Sequence, residues 1–194
     1  MHRLVVLVAA AFLSATAVAF ADPFDDGLNA MRAGDFGKAA EIWRPLAEGG
    51  LAKAQNNLGS LYHRGLGVKH DEVEAVRLYR AAAEQGLASA QGNLAFQYAN
   101  GIGVARNLET AVMWYRRAAD QGNADAQFSL GSMYSQGQGV AQNSTVAYMW
   151  LSLAAAQGDQ EAARDRDLVA GRMTPTQIAD GQRLAREWKA TPPR

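Results

Sequence analysis

Not one of the 194 residues is cysteine. Thiol nucleophiles, thiolate metal sites, lipid attachment through an N-terminal cysteine and disulfide staples are all excluded, so packing alone must hold the fold. An excess of either charge is also missing, because 19 Lys and Arg stand against 19 Asp and Glu. No net field draws in nucleic acid or an anionic membrane. Long apolar runs are missing except at the start, where MHRLVVLVAAAFLSATAVAFA sets His2 and Arg3 before a run from Leu4 that ends in the small-residue site Ala19-Phe20-Ala21. This predicts a secretory signal peptide over residues 1–21, cut before Asp22, and hence an exported, most simply periplasmic, protein with no membrane span after cleavage. With 48% hydrophobic and 20% charged residues, the remainder is globular in composition.

What the sequence does have is a period. Residues 54–89, 90–125 and 126–161 are three tandem copies of one 36-residue pattern. Ala54, Ala90, Ala126 and Ala162 fall in register, as do Leu58, Leu94 and Leu130, then Tyr62, Tyr98 and Tyr134. The loops GLGV, GIGV and GQGV follow, and Gly86, Gly122 and Gly158 close each copy. Such a period marks a unit that cannot bury its apolar face alone and must stack on its neighbours. Apolar spacings of three and four predict two antiparallel helices per unit, one through Leu58, Leu61 and Tyr62, the other through Val73, Val76, Leu78 and Tyr79. Asp71, Asn107 and Asn143 suit the N-cap of the second helix, with Glu74 placed to complete a capping box.

Residues 22–53 read as an incomplete first unit, with Trp43 where later copies carry Tyr79 and Tyr115, and with the turn Gly34-Asp35 in place of the Gly-x-Gly-Val loop. From Ala162 the register fades. MTPTQIADGQRLAREW then predicts a capping helix starting at Thr174 and burying Ile178, Leu184 and Trp188, which places capping helices over 162–190 and a frayed tail at 191–194.

The ordered set Ala-x3-Leu-Gly-x2-Tyr, Gly-x-Gly-Val, Ala-x2-Trp-Tyr-x2-Ala-Ala and Gly resembles the Sel-one-like repeat, a relative of the tetratricopeptide repeat. Ala95 stands where that pattern has Gly, and Leu151 where it has an aromatic. The resemblance implies an all-α fold, a right-handed α/α superhelix of stacked antiparallel helix pairs, used as a scaffold for a protein or peptide partner. It also implies that the first helix of each unit lines the concave face. Residue by residue this selects Asn56, Ser60, His63 and Arg64; Gly92, Phe96, Ala99 and Asn100; and Phe128, Ser132, Ser135 and Gln136. Phe96 and Phe128, flanked by amides, suit peptide anchoring, and both are expected to be more exposed than Leu94 and Leu130. One cysteine-rich branch of the family is linked to β-lactams; its cysteines are missing here.

Signs of chemistry are few. No Ser-x-x-Lys or Gly-x-Ser-x-Gly occurs, so no activated nucleophile is visible. After leader removal only His63 and His70 remain, without a His-Glu-x-x-His partner, and they read as loop and surface histidines instead of metal ligands. The Gly-x-Gly-Val loops follow helices and lack a Lys-Ser/Thr continuation, which makes them turns, not phosphate cradles. Acidic pairs such as Glu72 with Glu74 read as solvated helix ends. The expectation is therefore a non-catalytic interaction module without cofactor or metal; the alternatives are a cell-wall or β-lactam hydrolase, or a scaffold for envelope polysaccharide export.

Overall fold

The computed structural model describes residues 22–191; the expected leader and residues 192–194 lie outside them. All secondary structure in this stretch is helical. In chain order the helices are α1 (Pro23–Arg32), α2 (Phe36–Glu48), α3 (Ala52–Arg64), α4 (Glu72–Glu84), α5 (Ala88–Asn100), α6 (Leu108–Asp120), α7 (Ala124–Gln136), α8 (Ser144–Ala156), α9 (Gln160–Ala170) and α10 (Pro175–Glu187). From α1 to α9 each helix packs on the next, forming the stacked all-α solenoid that the period requires.

Local chemistry sets the boundaries. The side chains of Asp71, Asn107 and Asn143 accept from the backbone N–H groups of Glu74, Thr110 and Val146, capping α4, α6 and α8. The capping box at Glu74 does not form, because that carboxylate turns to Arg77 at 2.6 and 2.7 Å, an i,i+3 pair on the same helix face. At the C-terminus, Thr174 and Gln177 do make a reciprocal box at the start of α10.

The core is a stripe of small residues filled in by large ones. Ala54, Ala90, Ala126 and Ala162 are fully buried beside Leu58, Leu94 and Leu130, and Trp43, Tyr79 and Tyr115 are buried at one register of the second helices, where Leu151 follows. Gly59 and Gly131 let those large side chains close in: a Cβ on Gly131 would lie 2.7 Å from Leu151 Cγ.

One polar ladder crosses this apolar interior and a second runs along its edge. Buried Gln55, Gln91 and Gln127 each donate to a carbonyl of the preceding repeat, Ala47, Ala83 and Ala119, at 3.1–3.2 Å. Each accepts in turn from Gln85, Gln121 or Gln157 at 2.7–2.9 Å. A buried amide satisfied on both ends fixes the stacking register without leaving an orphaned group. Along the edge, Arg44, Arg80 and Arg116 of one unit donate to the hydroxyls of Tyr62, Tyr98 and Tyr134 of the next.

Three expectations shift. Val73 is 69% exposed, since it sits in the first turn of α4 with no element over it. α10 packs on α8, where Gly181 admits Tyr148, but Ile178, Leu184 and Trp188, expected to be buried, are each half-buried, the last two against the core. Thr191 is tied down, its N–H and Oγ1 both donating to Asp120 O at 2.8 and 3.1 Å.

Candidate binding face

Helices α3, α5 and α7 lie one repeat apart and present equivalent faces. Asn93 Nδ2 on α5 donates to Asn56 Oδ1 on α3 at 2.9 Å, joining the first two. Phe96 lies on the exposed part of α5, 45% accessible, with Asn100 Nδ2 donating to its carbonyl at 2.8 Å. Arg64, Asn100 and Gln136 are exposed; Asn56, Ser60, His63, Gly92, Ala99, Ser132 and Ser135 are half-buried. Phe128 is half-buried too, leaning on the cluster of Leu151, Ala154 and Ala162. Both phenylalanines are more exposed than Leu94 and Leu130, which are fully buried. The difference between them is one of register: Phe128 stands at the position of Gly92, one helical turn before that of Phe96, and there it packs on the cluster to which α9 contributes Ala162. Beneath this face burial pushes the Tyr79 hydroxyl up to about 12, and Ser60 pulls the other way. Tyr79 is buried and packs in the core.

Between α5 and α7 the face opens into a hollow of about 220 Å³, bounded by Ser89, Gly92, Asn93, Phe96, Asp125 and Ser129. Asp125 is exposed, and its carboxylate makes no ion pair among the described residues.

At the loop edge of the same face stands a polar cluster that sequence reading dispersed. Glu72, which the sequence pattern reads as a solvated helix end, accepts from His63 Nδ1 at 2.8 Å, His70 Nε2 at 2.9 Å and Gln97 Nε2 at 3.1 Å. His63 in turn meets the Phe96 ring edge-on, with centroids 6.5 Å apart. The one available signal was register: Gln97 stands where sister repeats have Leu61 and Met133, and Glu72 where they have Leu108 and Ser144. A carboxylate-oriented imidazole is part of a nucleophilic triad, but no hydroxyl among the described residues hydrogen-bonds to His63. Nor do the described residues contain a group of three or more His, Asp or Glu that could hold a metal.

Desolvation raises the Glu72 pKa, but hydrogen bonds from His63, His70 and Gln97 outweigh it, and the net result lies below the ordinary value of 4.5. A carboxyl depressed in the folded state contributes stability that is present above its unfolded pKa and is lost as pH falls through the folded one. The melting-temperature gap between the wild type and Glu72→Gln should therefore narrow as pH drops from 4.5. A gap that is unchanged down to about pH 3 would mean that these hydrogen bonds contribute nothing to folding.

The repeat pattern described as Sel1 repeat matches residues 52–87, 88–123 and 124–159, framing each unit two residues before the alanine register. The Sel1 repeat protein of Oxalobacter formigenes is similar in structure, with a TM-score of 0.70 and 36% identity over 74% of this chain and 59% of that one. The c5321 protective antigen of uropathogenic Escherichia coli, which displays an SLR fold, aligns at a TM-score of 0.42 and 28% identity over 85% of this chain and 45% of that one. The chain thus spans less than two thirds of the length of either. No curated protein matches it. Three consecutive matches over the central helices, on a solenoid of the same build, place this chain in the Sel1 repeat family.

Proposed function

We propose that the face formed by α3, α5 and α7 is the concave surface on which an exported, periplasmic scaffold binds a protein or peptide, without catalysis. Sel1 repeats generally serve protein interaction, and no described helix is long and apolar enough to cross a membrane. The observation that carries the reading is Phe96. A large apolar ring 45% accessible costs solvation unless a partner covers it, and its setting of Asn93, Ser129 and Asn100 supplies amides and a hydroxyl for main-chain recognition. Asn56, Ser60, His63, Arg64, Phe128 and Gln136 extend the same surface.

The test is affinity capture from envelope extracts with wild type and with Phe96→Ala/Phe128→Ala. Phe96 is exposed and Phe128 half-buried, so circular dichroism on the double variant separates lost recognition from lost fold. A partner retained by wild type and released by a folded double variant supports the surface; equal retention removes it.

A further inference from the structure

The hollow between α5 and α7 has a composition found at neither equivalent place. One repeat earlier, Asn56, Ser60 and Ser89 occupy the positions of Gly92, Phe96 and Asp125; one repeat later, Phe128, Ser132 and Glu161 do. Only the central junction combines an open floor, an exposed aromatic wall and a carboxylate. The floor is open because residue 92 is glycine: a Cβ there would meet nothing nearer than Asn123 Oδ1 at 3.8 Å.

The charge of the lining leans to one side. Asp125 offers carboxylate oxygens. One of the two Asn93 Nδ2 hydrogens goes to Asn56, which leaves the other and Asn93 Oδ1 as spare groups. The Ser129 hydroxyl donates to Asp125 O and faces the Tyr115 hydroxyl, which also lines the hollow. Ser89 and Tyr115 offer hydroxyls and Asn93 and Asn123 amide N–H groups, so the neutral groups are mixed and the one charge at the site is the Asp125 carboxylate. No Lys or Arg lines it, and α5 carries no charge along its whole length. A hollow whose one charge is a carboxylate unpaired among the described residues, beside a phenyl face, suits a cationic donor. Guanidinium fits better than ammonium, because its planar fork pairs with a carboxylate through two parallel bonds and its face stacks on an aromatic ring.

We propose that this hollow is an arginine pocket, and that the partner on this face is a peptide or protein segment presenting an arginine between Phe96 and Asp125. The proposal rests on the binding-face reading and adds the chemistry of its anchor. It is distinct from the histidine cluster on the other side of Phe96, whose carboxylate is already engaged.

The probe is N-acetyl-arginine methylamide, titrated into ¹⁵N-labelled protein, with the citrulline analogue as a neutral isostere and the lysine analogue as a point charge. Saturating amide shifts at Ser89, Gly92, Asn93, Phe96 and Asp125 are expected with arginine. Binding should be about tenfold weaker with citrulline or with Asp125→Asn, and weaker with lysine than with arginine. Gly92→Leu should fill the hollow and abolish the shifts while raising the melting temperature, since leucine favours a helix over glycine and space is present. Equal binding of citrulline and arginine, or shifts that survive Gly92→Leu, would overturn the pocket. If capture of a partner still depends on Phe96 while arginine shows no preference, the face stands and the arginine assignment falls.

Discussion

Gly103→Val should lower the stability of the chain by about 3 kcal/mol, a large share of the 5–15 kcal/mol typical of a domain. Two independent costs meet at this residue. Its φ of +66° lies in the left-handed region, which strains a β-branched side chain by roughly 1–2 kcal/mol. A Cβ would also sit 2.3 Å from Glu72 O and 2.6 Å from Glu72 C, which are backbone atoms that cannot swing aside. Relieving that overlap means lifting the loop after α5 off the start of α4, at about 1–3 kcal/mol. Gly158→Ala supplies the control, because its φ of +98° imposes strain but nothing lies within 4 Å. Urea midpoints should rank wild type, Gly158→Ala and Gly103→Val in descending order. Hydrogen exchange should show the loss concentrated in α3–α6, since in a solenoid each unit leans only on its neighbours. Equal midpoints for the two variants would mean that the loop is not seated on the preceding repeat.

How far the fold was readable follows from what a period encodes. The alanine and leucine registers, the asparagine caps and the terminal glycines recur because each repeat solves the same packing problem, and each fell where the pattern put it. Gln55, Gln91 and Gln127 recur as faithfully, yet periodicity alone does not distinguish a buried ladder from a polar surface face; their burial appears only when the preceding repeat's carbonyls arrive opposite them. The site was less legible, for a different reason. Glu72, His63 and Gln97 come together across one loop and one repeat boundary, and Gly92 meets Asp125 only through the stacking offset between α5 and α7. Pairings between units are set by superhelical geometry, which single-repeat patterns do not specify. Phe96 and Phe128 illustrate the limit: they stand one helical turn apart in the repeat register, at the positions of Ser132 and Gly92, and only the stacking of the units shows that the earlier position leans on the core while the later one faces out.

The largest single loss should come from Trp150→Ala, at about 3–5 kcal/mol for a buried indole replaced by a methyl group. Trp150 is 1% exposed, meets Trp188 edge-on with centroids 6.3 Å apart, and lies 5.7 Å from the Arg116 guanidinium. It therefore joins three things: the last Sel1 unit, the arginine–tyrosine ladder and the strap that runs from α10 to Asp120. Cutting it out should loosen the cap as well as the core, so protease cleavage within 175–191 should accelerate before the repeats melt. Trp150→Phe tests which property matters. Trp150 Nε1 is buried without a hydrogen-bond partner, and such a group costs about 1–3 kcal/mol. Phenylalanine removes that penalty while keeping most of the aromatic contact with Trp188, so its net cost should be under about 1.5 kcal/mol, well short of alanine's. If phenylalanine proved as damaging as alanine, the shape of the full indole, and not aromatic bulk, would be what holds α10 against α8, and small errors in this one side chain would be enough to uncap the solenoid.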